Sequence, residues 1–193
     1  GYGTLASNGW SVIKTIDNTL VPTTFDMCFG NIKPSTIQDT DQLPRMCFNI
    51  DISGSMGQGM NGGGGWKASP GQLSCYEGAV ALSLFFRRTS DANMKFKAFA
   101  SRADTLNFTK TTTFTEGVKM CLKLSQFMTG TDCAQGILDA LKNKEVYDCF
   151  IVITDNETWA GNISVPDALK KYRDLVNPKA RVAVIAMAAN KFS

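Results

Sequence analysis

Two periodicities alternate along this chain. Short unbroken apolar runs, at Arg45 to Ile50, Cys149 to Thr154 and Ala180 to Ala188, have the length and character of strands buried on both faces. Between them, apolar residues recur at helical spacing. Leu73 to Arg88 is a predicted helix with Tyr76, Val80, Leu84 and Phe85 on its core face, and Thr115 to Phe127 a second with Val118, Cys121, Leu122 and Leu124 inside. A third runs from Asp132 to about Lys142. A fourth starts on Ser164 as N-cap with Pro166 in its first turn, and ends near Val176, before Pro178. Met94, Phe96 and Ala98 alternate with Lys95 and Lys97, which predicts a strand with one solvated side. Thr105 to Thr109 would be its antiparallel neighbour at a sheet edge. Near the start, Trp10, Ile13, Ile16 and Leu20 predict a short amphipathic helix over residues 8–20.

Strands that alternate with helices call for an α/β fold: a three-layer, doubly wound, mostly parallel sheet with one antiparallel edge strand. The expected division is a lead-in over residues 1–44, helical and then irregular, and one domain over residues 45–193. Gly57 to Gly71 interrupts the pattern with a four-glycine run, a predicted surface loop without the Gly-Lys-Ser/Thr signature of a phosphate-binding loop. Trp66 stands in that loop as a large aromatic beside the chemistry described next.

The polar residues change the picture at three strand or helix junctions. The run Cys47 to Ile50 ends in Asp51-Ile52-Ser53-Gly54-Ser55, a carboxylate and two hydroxyls at alternate positions. If the chain curls over the strand end, these oxygens can meet at one point, a set suited to a hard divalent cation such as Mg²⁺ or Mn²⁺. Thr131, in Thr129-Gly130-Thr131-Asp132, and Asp155, at the end of Phe150 to Asp155, can complete the shell. The bland alternative is a set of helix caps and turn residues. Asp132 and Glu157 carry the same ambiguity: each stands beside a candidate ligand and can touch the metal's water shell or simply cap a helix or loop.

Composition narrows the function classes. With 193 residues, 44% hydrophobic and 19% charged, the chain suits one soluble domain. A net charge of +3 is not the footprint of a module that binds nucleic acid by charge alone. No apolar run approaches the roughly 18 residues of a membrane span. There is no histidine, which removes the commonest general base, and Asp51 lacks the second nearby acid of a phosphoryl-transfer site, so an enzyme is not expected. The six cysteines form no Cys-x-x-Cys pair; with Cys47, Cys121 and Cys149 in apolar stretches, they point to free thiols in a reducing compartment.

The ordered trio of Asp51-x-Ser53-x-Ser55, Thr131 and Asp155 resembles the metal-ion-dependent adhesion site of von Willebrand factor A domains. Gly130 to Cys133, Asp148 to Gly161, Ala168 to Arg173 and the closing Met187 to Phe192 resemble more narrowly the A domain of the Ro autoantigen family. That resemblance implies Asp51, Ser53, Ser55, Thr131 and Asp155 as metal ligands. It also implies an upstream ring of helical repeats, the TROVE module, of which residues 8–20 would be the last helix. The family's partners are small noncoding RNAs, held mainly by that ring. A phosphate, or an acidic side chain of a protein partner, would fill the open metal position, and no membrane is involved. The implied setting is cytoplasmic, with the nucleus as a second compartment. Relatives continue beyond the last strand, so a C-terminally truncated domain is expected. A protein–protein adhesion module without an RNA function is the alternative.

Overall fold

The computed structural model describes residues 43–60, 72–155 and 161–188, together with the backbone of two short strands near the start. Trp66, Glu157, most of the glycine-rich loop and the closing Asn190 to Phe192 lie outside the described residues. The chain divides into two units, Gly1–Leu43 and Pro44–Ser193.

The first unit corrects the expected helix. Lys14–Ile16 (β1) and Thr19–Val21 (β2) are antiparallel strands, with Ile16 opposite Thr19. Helical spacing of four apolar residues was the weaker signal there. The β-branched Thr15, Ile16, Thr19 and Val21, divided by Asp17-Asn18, carry the stronger one.

The second unit is built around five strands. They are Arg45–Asp51 (β3), Asn93–Phe99 (β4), Ala103–Leu106 (β5), Cys149–Thr154 (β6) and Arg181–Ala186 (β7). Their order is β5-β4-β3-β6-β7, all parallel except the edge strand β5. The predicted three-layer, doubly wound architecture is therefore present. Among the described residues four helices cover it: Cys75–Thr89 (α1), Phe114–Ser125 (α2), Gln135–Lys142 (α3) and Val165–Leu175 (α4). Their starts are written in the sequence. Ser74 and Thr113 close capping boxes with Glu77 and Glu116, and the Ser164 side chain accepts from Asp167 N. Chain order reverses at β3, whose neighbours β4 and β6 are reached by crossovers in opposite directions. Such a switch point leaves a crevice beyond the carboxyl ends of the strands.

Burial along β3 follows its central position: every residue from Met46 to Asp51 is buried. Side chains alternate between two cores. Phe48 stacks on Phe96 and tilts against Phe86 of α1. Cys47 and Phe150 join Ile137, Leu169 and Tyr172 under α3 and α4.

Two expectations about core faces fail. Lys97 is not on a solvated side: it is 2% exposed, because β4 lies inside a sheet covered on both faces. Leu122 is exposed; Cys121 is buried as expected, and α2 turns Gly117 inward beside it. Glycine carries no hydrophobic signal, so periodicity alone rotates the predicted face. Cys47, Cys75 and Cys121 are free and buried, as expected, and Cys133 and Cys149 are buried as well. No helix among the described residues is long and apolar enough to cross a membrane.

Candidate metal centre

The first loop leaves β3 at Asp51 and is fixed at once by backbone bonds. Ile52 N donates to Phe99 O on β4, and a 3-10 turn, Gly54–Gly57, follows with Met56 N donating to Ser53 O. Asp51 is fully buried. Its Oδ1 accepts from Ser53 N at 2.8 Å and its Oδ2 from Thr154 Oγ1 at 2.7 Å. Ser53 Oγ and Ser55 Oγ stand 3.1 Å apart, so the alternate hydroxyls do turn to one side of the loop.

Asp155 follows β6, next to β3 in the sheet, and is also fully buried. Its Oδ2 accepts from Gln58 Nε2 at 3.1 Å, which ties the third loop to the first. Burial pushes the Asp51 carboxyl up to about 6, against the hydrogen bonds from Ser53 and Thr154, and the charge of Asp155 adds to the rise. Cys75, which opens α1, is near enough to both carboxylates for them to add to the larger effect of burial, bringing its thiol to about 11.

The second loop is anchored across the same strand ends. Asp132 N donates to Ala100 O just beyond β4, and Cys133 Sγ lies 3.9 Å from Thr154 Oγ1. Thr131 is fully buried, and its Oγ1 has no hydrogen-bond partner among the described residues. A buried hydroxyl without a partner costs about 1–3 kcal/mol, and of the two such atoms among the described residues, Ser83 Oγ within α1 and Thr131 Oγ1, only the second stands in a predicted metal loop. The Asp132 carboxylate ties together the lead-in to α3: its Oδ1 accepts from Ala134 N at 3.0 Å and its Oδ2 from Gln135 Nε2 at 2.7 Å. Gly161 backs onto it with φ +98°, where a Cβ would fall 2.4 Å from Asp132 Cγ. Asp132 also borders an open pocket of about 550 Å³ shared with Ser101, Gln135, Asn162 and Lys171.

Three predicted oxygens of the first loop and the Asp155 carboxylate thus gather at one end of the sheet, with the Thr131 loop anchored there. No group of three or more His, Cys, Asp or Glu side chains suited to a metal occurs among the described residues. The donor set here is two carboxylates and three hydroxyls, all oxygen, which fits a hard cation and not zinc. Thr154 and Gln58 escape sequence reasoning. One orients Asp51 and the other Asp155, contacts across 103 and 97 residues of chain that no local motif displays.

The sequence model of the family described as Ro60 vWA domain matches residues 45–193. The chain belongs to that family. Among Ro60 relatives, the RNA-binding protein RO60 of Deinococcus radiodurans is 31% identical over 193 residues, all of this chain and 33% of its own length. That of Caenorhabditis elegans is 34% identical over 150 residues, 77% of this chain and 22% of its own. The crystal structure of the Deinococcus Ro protein superposes with a TM-score of 0.61 at 27% identity, covering 98% of this chain and 36% of that one. The chain spans about a third or less of the curated relatives it matches.

Proposed function

We propose that this chain is the metal-ion-dependent recognition domain of a Ro-like ribonucleoprotein, not an enzyme. Asp51, Ser53, Ser55, Thr131 and Asp155 would hold Mg²⁺ or Mn²⁺. The bound cation would supply a strong local positive charge for an RNA phosphate or an acidic side chain of a protein partner. The observation that carries this reading is the buried, unpartnered Thr131 Oγ1, anchored at the strand ends that carry two buried carboxylates. The names of both curated relatives support the RNA side of the proposal. Small noncoding RNA would be held mainly by an upstream module, in the cytoplasm or nucleus.

The first test is metal binding. Wild-type protein should take up Mn²⁺ at pH 7.5, while Asp51→Asn should lose at least about a hundredfold in affinity with an unchanged circular dichroism spectrum. The sign of the pH effect follows from the raised carboxyl. Asp51 holds its proton up to about pH 6 in the fold but only to 3.8 when exposed, so the metal-free protein loses stability as pH rises between these values. Mn²⁺ affinity should run the other way, falling as pH drops below about 6. Asp51→Asn should abolish both trends. The second test compares small-RNA binding by residues 1–193 with that of a longer native chain, with and without chelator. Weak, salt-sensitive binding by the short chain and strong binding by the longer one are expected. Equally weak binding by both would favour the adhesion reading.

A further inference from the structure

The second loop is anchored at its Asp132 end by the bond to Ala100 O, and the α3 face of the sheet holds a group suited to fixing the helix that follows it. Lys97 lies within β4 and is buried, yet its Nζ is 2.6 Å from Asp139 Oδ2 on α3 and 2.5 Å from Glu145 Oε2. Burial works against its charge, but the two carboxylates outweigh it and raise the ammonium above its usual range. The Glu145 main chain is itself held, since its carbonyl accepts from the Tyr172 hydroxyl of α4 and its N–H donates to Ala140 O.

Asn49, opposite Lys97 in the β3–β4 ladder, lies against Gly136 so closely that a Cβ there would fall 1.8 Å from Asn49 Oδ1. Just ahead of α3, Asp132 N donates to Ala100 O, immediately beyond β4. The helix and its lead-in are thus fastened to β4 on both sides of Gly136, and Thr131 is the residue next to one of those fastenings.

An ion pair whose ammonium is buried while its carboxylates are 30% and 35% exposed is a poor source of stability. Its contribution is direction. Apolar contacts let a helix slide along a sheet, whereas an ammonium held between two carboxylates fixes its position lengthwise. Building on the metal reading above, we propose that Lys97 is a positioning residue for the cation site: by pinning Asp139 and Glu145 it sets α3 along β4 and holds the Thr131 hydroxyl in place.

The test measures Mn²⁺ affinity of the 193-residue chain alongside its melting in chelator. Lys97→Met should weaken Mn²⁺ binding by roughly tenfold, and in a Thr131→Ala background the same change should have less than about a twofold effect, because both act through one ligand. A merely structural role would give additive losses in the two backgrounds, which would overturn the proposal, as would unchanged affinity in Lys97→Met. If Lys97→Met does not fold, Asp139→Asn is read by the same cycle, with the same outcomes deciding. Failure of wild-type protein to bind Mn²⁺ at all would instead remove the metal reading, and this inference with it.

Discussion

The two faces of the sheet are covered by the same kind of layer and built by different rules. Under α1 and α2 aromatic rings dominate: Phe48, Phe86, Phe96 and Phe108 meet with ring centroids 5.0 to 5.4 Å apart, and polar links there include those of Arg88 of α1, which donates to Lys110 O and Thr112 O. Under α3 and α4 the apolar cluster is threaded with polar groups. Lys97 reaches Asp139 and Glu145, Asn49 lies under Gly136, and Tyr172 bridges Tyr147 N and Glu145 O at 2.7 Å each. Apolar contact is non-directional and tolerates small shifts, whereas hydrogen bonds and ion pairs fix register. The second face is also the one whose helices begin at the Thr131 loop and after the Asp155 loop. On that face precision is concentrated where the second and third loops are aimed, while the first loop, with Asp51, Ser53 and Ser55, leads toward α1.

The largest effect that tests this contrast is expected from Gly136→Ala. The new methyl would overlap Asn49, whose side chain is buried and whose Nδ2 donates to Cys47 O, so it has little room to yield. A loss of about 3 kcal/mol is expected even after the gain in helix propensity, lowering Tm by roughly 10 °C. Thermal melting decides it, and adding Asn49→Ala should recover most of the loss. A melting point close to wild type would show that α3 shifts freely and that the contrast is false.

Next in size is Tyr172→Phe. It keeps the ring, which meets Phe150 edge-on at 4.8 Å, and removes the hydroxyl alone. Tyr147 N and Glu145 O would then be left without that partner in a buried region, at about 2 kcal/mol. Urea unfolding should show this as a lower midpoint with an unchanged slope. An effect below about 0.5 kcal/mol would mean that water replaces the hydroxyl and the bridge directs nothing.

The same contrast explains what could be read from the chain. β3, β6 and the Ser164-capped start of α4 were legible because each signal lies within a few neighbouring residues, whereas the capping boxes of Ser74 and Thr113 went unread. Asp51, Ser53 and Ser55 were legible for the same reason. Lys97 was misread because alternation of Lys with apolar residues looks the same whether the polar side meets water or two carboxylates. Thr154 and Gln58 were missed because their partners are far away in sequence. The aromatic face is written in periodicity, and the polar face in pairings that only the fold creates.

The smallest effect should come from the matching substitution on the aromatic face, Gly117→Ala. Gly117 of α2 is buried against α1 and Phe108, and a Cβ would lie 2.8 Å from Val80 Cγ1, then 3.4 Å from Leu84 and 3.6 Å from Phe108. That is also a close approach, and counting distances alone would predict harm. The neighbours here are apolar, however, and α2 buries only Gly117 and Cys121, with Phe114 and Leu122 exposed. Such a helix can move outward a few tenths of an ångström without breaking a directional contact. Alanine in a helix interior is favoured over glycine by about 1 kcal/mol, which should offset most of the packing strain. The expected change is therefore within about 1 kcal/mol of zero, a Tm shift of no more than roughly 4 °C. If Gly117→Ala instead matched Gly136→Ala in its loss, the two faces would be equally rigid, and the precision assigned to the α3 side would belong to the whole sheet.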